Sequence, residues 1–355
     1  MTTAFDPVDL AGTRLANRIA MAPMTRSRAD AVLRTPTPLV TEYYAQRASA
    51  GLIITEGVHP VPEGQGYPFT PGLHSRAQIA AWREVTDAVH ERGGRIFAQL
   101  MHSGRIGHPD LLDDGLHPVG PSPVAAAGQV FTPEGPRDLP VPRELTGDQV
   151  REAVEGFADA ARNAVEAGFD GVEVHGANGY LVHQFLATGS NHRTDEWGGP
   201  VAHRIRFAVE VVKAVAAAIG PGRTGLRISP ANPLNDIAEA DTDELYPALV
   251  DAIEPVGIAY LHVVEVAPER RPLVLDLRKR FTGTFILSPA TEGPTGADSL
   301  ALVEDGTADL VAFGRLFVAN PDLPARLRTD GPYNEIDAAT MYSGDARGYV
   351  DYPAL

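Results

Sequence analysis

Three polar side chains that could act together on one substrate follow a single strand-like segment: His175, Asn178 and Tyr180. The preceding segment, residues 171–175, has the alternating valines of a buried strand, and a glycine then breaks the pattern. An imidazole and a carboxamide can both donate hydrogen bonds to one ligand oxygen, and a nearby phenol can deliver a proton. This segment therefore predicts a site that polarises a carbonyl or nitro group and protonates a neighbouring carbon.

The elements that must position these residues follow a repeating pattern of short apolar runs and amphipathic helical segments. After an expected β-hairpin at residues 4–16, the predicted strands are 19–21, 52–55, 95–99, 171–175, 224–228, 260–264, 284–287 and 310–312, and the clearest helical patterns are 78–92, 147–167 and 201–219. About eight such units without a linker favour a closed (β/α)8 TIM barrel. An open doubly wound sheet is the alternative. No Gly-x-Gly-x-x-Gly follows any predicted strand, so a dinucleotide-binding Rossmann unit has no support.

The segment 104–146 is rich in proline and glycine and is too long for an ordinary strand–helix connection. We expect it to be an excursion over the catalytic face, either a lid or a small hairpin subdomain, within one domain that spans residues 1–355. A disordered linker between two domains is the alternative interpretation.

Composition limits the classes of protein and cofactor. The 355 residues include no cysteine, which excludes disulfides, thiolate zinc sites and cysteine-ligated iron–sulfur clusters. The net charge of -16 argues against nucleic acid as a partner, and the scattered acids and histidines predict no metal site. The N-terminus lacks the pattern of a signal peptide and no apolar run is long enough to span a bilayer, so we expect a cytoplasmic enzyme.

Reactive groups of a TIM barrel collect at the carboxyl ends of its strands. The candidates there, besides the three residues named first, are Pro23, Met24, Thr25, Gly57, Gln99, Met101, Arg227, Gly314 and Arg315. A fixed amide at Gln99 and a fixed cation at Arg227 could hold a heterocycle that alternates between neutral and anionic forms, as reduced flavin does. A glycine followed by an arginine after the last strand is typical of a phosphate site.

Five ordered motifs cover nearly the whole chain: residues 17–26, 99–105, 175–181, 312–315 and 348–353. Together they resemble the Old Yellow Enzyme family of FMN-dependent ene-reductases. Thr25 resembles the threonine of the classical subgroup, since the thermophilic-like subgroup carries cysteine there.

This resemblance implies FMN as cofactor, NADPH or NADH as hydride donor, and a small activated alkene such as an enone, maleimide or nitroalkene as substrate, in a monomer or homodimer. For the flavin, it implies that Pro23 and Met24 lie at the ring, Thr25 near O4, Gln99 at the pyrimidine edge, Arg227 at N1 and O2, and Gly314 with Arg315 at the phosphate. Gly57 is also expected to bind the cofactor. For the substrate, it implies that His175 and Asn178 hold its oxygen while Tyr180 protonates the α-carbon after hydride reaches the β-carbon from flavin N5. Tyr67, Met101 and Tyr349 would line the substrate side.

Two positions depart from the family pattern. Met101 stands where the family commonly has tryptophan, and a thioether is smaller and more adaptable than an indole. Ser288 and Pro289 stand where the family usually has a glycine pair that binds phosphate, and proline has no N–H to donate. We therefore expect phosphate binding to depend on Arg315 and on a hydroxyl from Ser288 or Thr291.

Structural interpretations of the same residues remain open at this point. Arg227 could neutralise Glu173 on the adjacent strand, and Gln99 could satisfy neighbouring backbone groups. At the level of function, the alternatives are a cofactor-free lyase or hydrolase with His175 as base, and a non-catalytic flavin-binding protein. The first would need a paired carboxylate or a metal, which the sequence does not offer.

Overall fold

The computed structural model describes residues 2–355, and eight parallel strands of this part close into a barrel. The strands in chain order are β1 (Val8–Leu10), β2 (Thr13–Leu15), β3 (Ile19–Met21), β4 (Leu52–Val58), β5 (Ile96–Leu100), β6 (Val119–Gly120), β7 (Gln129–Thr132), β8 (Gly135–Asp138), β9 (Arg143–Glu144), β10 (Gly171–Gly176), β11 (Thr224–Ile228), β12 (Tyr260–Val264), β13 (Thr284–Ser288) and β14 (Leu310–Phe313). The barrel order is β3-β4-β5-β10-β11-β12-β13-β14, with β14 pairing back to β3. The predicted TIM barrel and its eight strands are confirmed, and the open sheet is wrong.

Helices follow the barrel strands and cover the outside of the sheet. They are α1 (Pro38–Gln46), α2 (Arg76–Glu91), α3 (Gly147–Glu166), α4 (Leu181–Leu186), α5 (Val201–Arg204), α6 (Arg206–Ile219), α7 (Thr242–Ile253), α8 (Arg271–Arg280), α9 (Ala301–Glu304), α10 (Arg315–Ala319) and α11 (Leu323–Thr329). The helix predicted at 201–219 is interrupted at Ile205, whose ψ of -18° opens that turn.

The two helices with the clearest sequence patterns begin at capping boxes. Ser75 and Gln78 form one at the start of α2, and Thr146 and Gln149 form the other at the start of α3. Each box satisfies backbone N–H groups that the first helical turn leaves unpaired. The boxes therefore fix where these two helices begin.

The predicted N-terminal hairpin closes one end of the barrel. Leu10 of β1 and Leu15 of β2 are fully buried and cluster with inward side chains of the barrel strands, among them Phe97 and Tyr260. A Cβ atom on Gly225 would lie 2.2 Å from the Tyr260 ring, so glycine is required where this ring crosses the barrel interior. Because this end is filled with apolar side chains, the polar groups of the interior lie toward the other end.

Residues 104–146 carry β6 to β9. Strands β7 and β8 form an antiparallel hairpin, and β6 pairs with β9 in parallel. Ile106 and Ala126 of this segment pack in one apolar cluster with Met101 and Tyr180. The excursion thus contacts the predicted catalytic residues, and its action as a lid stays a prediction. Across residues 2–355, none of the helices combines the length and apolar character needed to cross a membrane.

Candidate active site

The end of β10 and the loop that follows it place His175, Asn178 and Tyr180 at one end of the barrel. His175 pairs in register with Arg227 of β11, and Tyr180 is the N-terminal capping residue of α4. Between them the backbone makes a left-handed turn, with φ of 58° at Asn178 and 79° at Gly179. A Cβ atom on Gly179 would come within 2.6 Å of the Leu234 carbonyl oxygen, so glycine is needed on both counts.

Asn178 is oriented by the loop that follows β11. Its backbone N–H donates to Ser229 Oγ at 2.9 Å, and its side-chain Oδ1 accepts from Asn232 Nδ2 at 2.9 Å. Asn235 Nδ2 also donates to the Asn178 carbonyl oxygen at 2.7 Å. Because its side-chain oxygen is engaged, Asn178 presents its amide N–H groups as donors.

Tyr180 is a buried phenol beside a second phenol. Its hydroxyl lies 3.0 Å from that of Tyr67, and its ring centroid lies 5.1 Å from that of His175. Burial raises the pKa of Tyr180 well above its ordinary value, and the Tyr67 hydroxyl adds to this effect. Tyr180 therefore keeps its proton at neutral pH and can act as an acid.

His175 is a buried, neutral imidazole. Burial lowers its pKa well below the ordinary value, and the Arg227 charge lowers it further. Its Nδ1 atom is buried without a hydrogen-bond partner within residues 2–355. Because buried polar atoms are rarely left unpaired, this atom marks a place where a ligand would be bound.

A second group of residues forms hydrogen bonds that hold this loop in place, and the sequence did not predict this group. His183 Nδ1 accepts from the Gly179 N–H at 3.0 Å, and its Nε2 lies 2.8 Å from Glu239 Oε1, which also accepts from the Tyr246 hydroxyl at 2.6 Å. The one indication in the sequence was that His183 lies four positions after Gly179, close enough to accept a hydrogen bond from its N–H. Its partner Glu239 is 56 residues away, which sequence spacing cannot reveal.

A cavity of about 880 Å³ opens at the ends of the strands. Six of the predicted cofactor residues line it together: Pro23, Met24, Arg227, Ser288, Gly314 and Arg315. Arg227 is only 7% exposed, and its Nε atom has no hydrogen-bond partner in the described part of the chain. A buried cation without a hydrogen-bonding partner at this atom fits an anionic or strongly polar ligand.

The hydrogen bonds of Glu173 show which neighbours Gln99 and Arg227 have. Gln99 Nε2 donates to Glu173 Oε1 at 2.8 Å, and His262 Nδ1 lies 2.8 Å from Glu173 Oε2. The Gln99 side chain therefore contacts a carboxylate and not the backbone. Both Glu173 oxygens are held by other residues, so Arg227 acts on Glu173 through its charge and not as its hydrogen-bonding partner. His262 was missed, although its place on β12, two residues after Tyr260, puts it on the inner face of the strand.

The predicted residues Thr25, Gly57 and Met101 do not line this cavity. Thr25 is half-buried, directly after Met24. Gly57 lies against Met101, since a Cβ atom there would come within 2.6 Å of the Met101 Sδ atom. Met101 thus packs between Gly57 and the Tyr180 cluster.

Tyr349 was predicted to line the substrate side, and the structure shows that this is wrong. The residue is fully buried, its ring stacks on that of Tyr43 at 4.3 Å, and the Arg28 guanidinium lies 4.3 Å from its centroid. Stacking and cation–π contacts therefore cover the ring. Tyr342 of the same C-terminal segment is 64% exposed, and its phenol is near enough to Tyr180 to raise that residue's pKa slightly, after the larger effect of burial.

The buried acid Glu56 and its partner Arg26 link this C-terminal segment to the predicted cofactor residue Thr25. Glu56 Oε2 accepts from the Arg26 N–H at 3.3 Å, and burial raises the pKa of Glu56 to about 7. Arg26 in turn donates to the Gly348 carbonyl at 2.9 Å and to the Met341 carbonyl at 3.0 Å. The residue that follows Thr25 is thereby tied to the C-terminus.

Comparison with known proteins identifies the family. The chain matches the NADH:flavin oxidoreductase / NADH oxidase family over residues 3–334. It belongs to this family. The chain is 41% identical to 12-oxophytodienoate reductase 1 of Oryza sativa subsp. japonica, over 98% of this chain and 92% of that protein. It is also 41% identical to a probable flavin mononucleotide-dependent alkene reductase of Leishmania infantum, over 98% of this chain and 96% of the other.

Solved structures of the family share the fold closely. Morphinone reductase in complex with tetrahydroNAD superposes with a TM-score of 0.94 at 42% identity, covering 100% of this chain and 98% of the other. An Old Yellow Enzyme homologue from Zymomonas mobilis has a TM-score of 0.94 at 38% identity, with 100% of both chains covered. The Old Yellow Enzyme resemblance is confirmed, and the protein is an oxidoreductase that uses FMN and a nicotinamide donor.

The residues of the cavity fit FMN on structural grounds. The buried Arg227, whose Nε lacks a partner, suits the polar edge of a flavin ring, and the exposed Arg315, one residue after Gly314, suits a phosphate. Both arginines line the same cavity, so one elongated molecule with a polar ring and an anionic end can contact both.

Proposed function

We propose that the protein reduces activated carbon–carbon double bonds, such as those of enones, maleimides and nitroalkenes, in a ping-pong cycle driven by NADPH or NADH. The observation that carries this proposal is the pairing of a neutral imidazole, whose Nδ1 lacks a partner, with a protonated buried phenol at a ring distance of 5.1 Å. Such a pair can bind an oxygen and protonate a carbon close to it.

His175 and Asn178 orient the substrate. A neutral imidazole donates through one ring nitrogen, and Asn178 has its amide N–H groups left for a ligand because Asn232 occupies its oxygen. Two donors at one substrate oxygen withdraw electrons from the conjugated double bond and make its β-carbon more electrophilic. Bound FMN supplies the hydride that this carbon accepts.

Tyr180 completes the reaction by protonation. Its hydroxyl proton passes to the α-carbon, so that one hydride and one proton are added across the double bond. The phenolate then regains a proton from solvent through the partly exposed Tyr67, whose hydroxyl lies 3.0 Å away. The apolar cluster of Met101, Ile106 and Ala126 around Tyr180 keeps water from this position.

The proposal predicts a defined stoichiometry under anaerobic conditions. With 2-cyclohexenone or N-ethylmaleimide, we expect one NADPH to be oxidised for each saturated product, and enone reduction in D2O to place one deuterium on the α-carbon. The measurement is NADPH absorbance together with mass spectrometry of the product at short times, with buffer alone as the control for spontaneous exchange. NADPH oxidation that requires oxygen and leaves the alkene unchanged would contradict the proposal, as would flavin that neither NADPH nor NADH reduces.

A further inference from the structure

Four side chains form a hydrogen-bonded chain across the barrel interior. Ser288 Oγ lies 2.9 Å from His262 Nε2, His262 Nδ1 lies 2.8 Å from Glu173 Oε2, and Gln99 Nε2 lies 2.8 Å from Glu173 Oε1. Glu173 and His262 are fully buried and Gln99 is 2% exposed, while Ser288 lines the large cavity. The hydrogen-bonded series therefore runs from Ser288 in the cavity, through the buried carboxylate of Glu173, to Gln99.

The charge of Glu173 fixes the direction of every bond in the chain. Burial opposes ionisation, but His262, Arg227 and Gln99 together outweigh it and keep the pKa of Glu173 below its ordinary value. Burial also keeps the pKa of His262 low, so the ring is neutral. An ionised carboxylate only accepts, so His262 carries its single proton on Nδ1 and its Nε2 can only accept.

The Ser288 hydroxyl must therefore donate its one hydrogen to His262, which leaves only oxygen lone pairs for a ligand in the cavity. At the other end, one Gln99 amide N–H donates to Glu173, so its second N–H and its carbonyl oxygen are left for a ligand. Phosphate is an acceptor and cannot bond to a hydroxyl oxygen that has no hydrogen to give. The second candidate hydroxyl, that of Thr291, donates to the Gly293 carbonyl at 3.0 Å.

We propose that Ser288 is a cofactor-binding residue that accepts a hydrogen bond from a hydroxyl group of the flavin's sugar-alcohol chain, and that it makes no bond to the phosphate. This inference rests on the proposed function only in taking FMN as the ligand. It reverses the expectation from the sequence that the Ser288 hydroxyl replaces the missing backbone donor of Pro289. The phosphate then depends on Arg315 and the backbone N–H groups at Gly314.

Riboflavin and FMN distinguish these roles because riboflavin has the sugar-alcohol chain and lacks the phosphate. The full-length chain is stripped of flavin and titrated with each compound, with binding followed by quenching of flavin fluorescence. Ser288→Ala should weaken both compounds by the same factor, about 3- to 10-fold, as expected for one lost hydrogen bond. Ser288→Thr keeps the hydroxyl and should restore both affinities. Arg315→Met, the matched control, should weaken FMN and leave riboflavin unchanged.

A loss confined to FMN in Ser288→Ala would show that the hydroxyl contacts the phosphate and would overturn the inference. Unchanged affinity for both compounds would overturn it as well. The proposed function is tested separately, since a chain that binds both flavins as described and reduces no alkene would refute the activity and leave the role of Ser288 intact.

Discussion

Tyr180→Phe should slow alkene reduction about 100- to 10,000-fold, the range that a positioned general acid contributes, and leave flavin reduction by NADPH at its original rate. The reason is that only the alkene half of the cycle needs a proton at carbon. The phenol is buried, protonated and 3.0 Å from Tyr67, so its removal takes away the donor without removing a charge. Anaerobic stopped-flow spectroscopy measures the two half-reactions separately.

Tyr333→Phe is a matched control for this substitution. The Tyr333 hydroxyl donates to the Asp330 carboxylate at the protein surface. Tyr333 belongs neither to the cavity lining nor to the apolar cluster around Tyr180, so both half-reactions should keep their rates. Tyr67→Phe combined with Tyr180→Phe shows whether the neighbouring phenol supplies protons when Tyr180 cannot. An equal loss in both half-reactions of Tyr180→Phe would contradict the assignment of Tyr180 as the acid.

Arg227→Met should weaken FMN binding and make the bound flavin harder to reduce. Arg227 is 7% exposed and its Nε lacks a partner in the described part of the chain, so its charge acts on the ligand with little screening by solvent. A hydrogen bond from a charged group contributes about 1.5–3 kcal/mol, or about 10- to 150-fold in Kd. If the substitution destabilises only the reduced flavin by this free energy, the two-electron reduction potential of the bound flavin falls by about 30 to 65 mV.

Spectroelectrochemical titration measures this potential. Arg227→Lys retains the charge and should recover most of the potential, although lysine cannot reproduce the planar guanidinium. Arg315→Met removes a cation at the other end of the cavity and should weaken FMN binding with little change in potential. A wild-type potential in Arg227→Met would mean that this guanidinium does not stabilise the reduced ring.

The sequence predicted the barrel because strands and helices leave local periodic patterns. Ile19–Met21 and Tyr260–Val264 are confirmed to the residue, since apolar runs bounded by turn residues mark buried strands. The rule that barrel sites lie at strand ends then identified Arg227, Gly314 and Arg315, which line one cavity. Both successes depend on information within a few residues of each position.

What the sequence could not predict depends on contacts between distant residues. The bond between His262 and Glu173 joins positions 89 apart, and the direction of the Ser288 hydroxyl follows from that bond. The prediction for Tyr349 was wrong because its burial depends on stacking against the distant Tyr43 ring. The motif that contains Tyr349 gives no information about that contact. Tyr342 lies seven residues before Tyr349, is exposed and is near Tyr180. No pattern in the sequence indicated either its exposure or this proximity.

The most direct test of the account is the visible absorption spectrum of the purified protein before and after anaerobic addition of NADPH. We expect flavin bands that bleach with NADPH and return when 2-cyclohexenone or N-ethylmaleimide is added in the absence of oxygen. A bleached spectrum that only oxygen restores would contradict alkene reduction. A colourless protein that takes up no added FMN would contradict the cofactor site formed by Arg227 and Arg315.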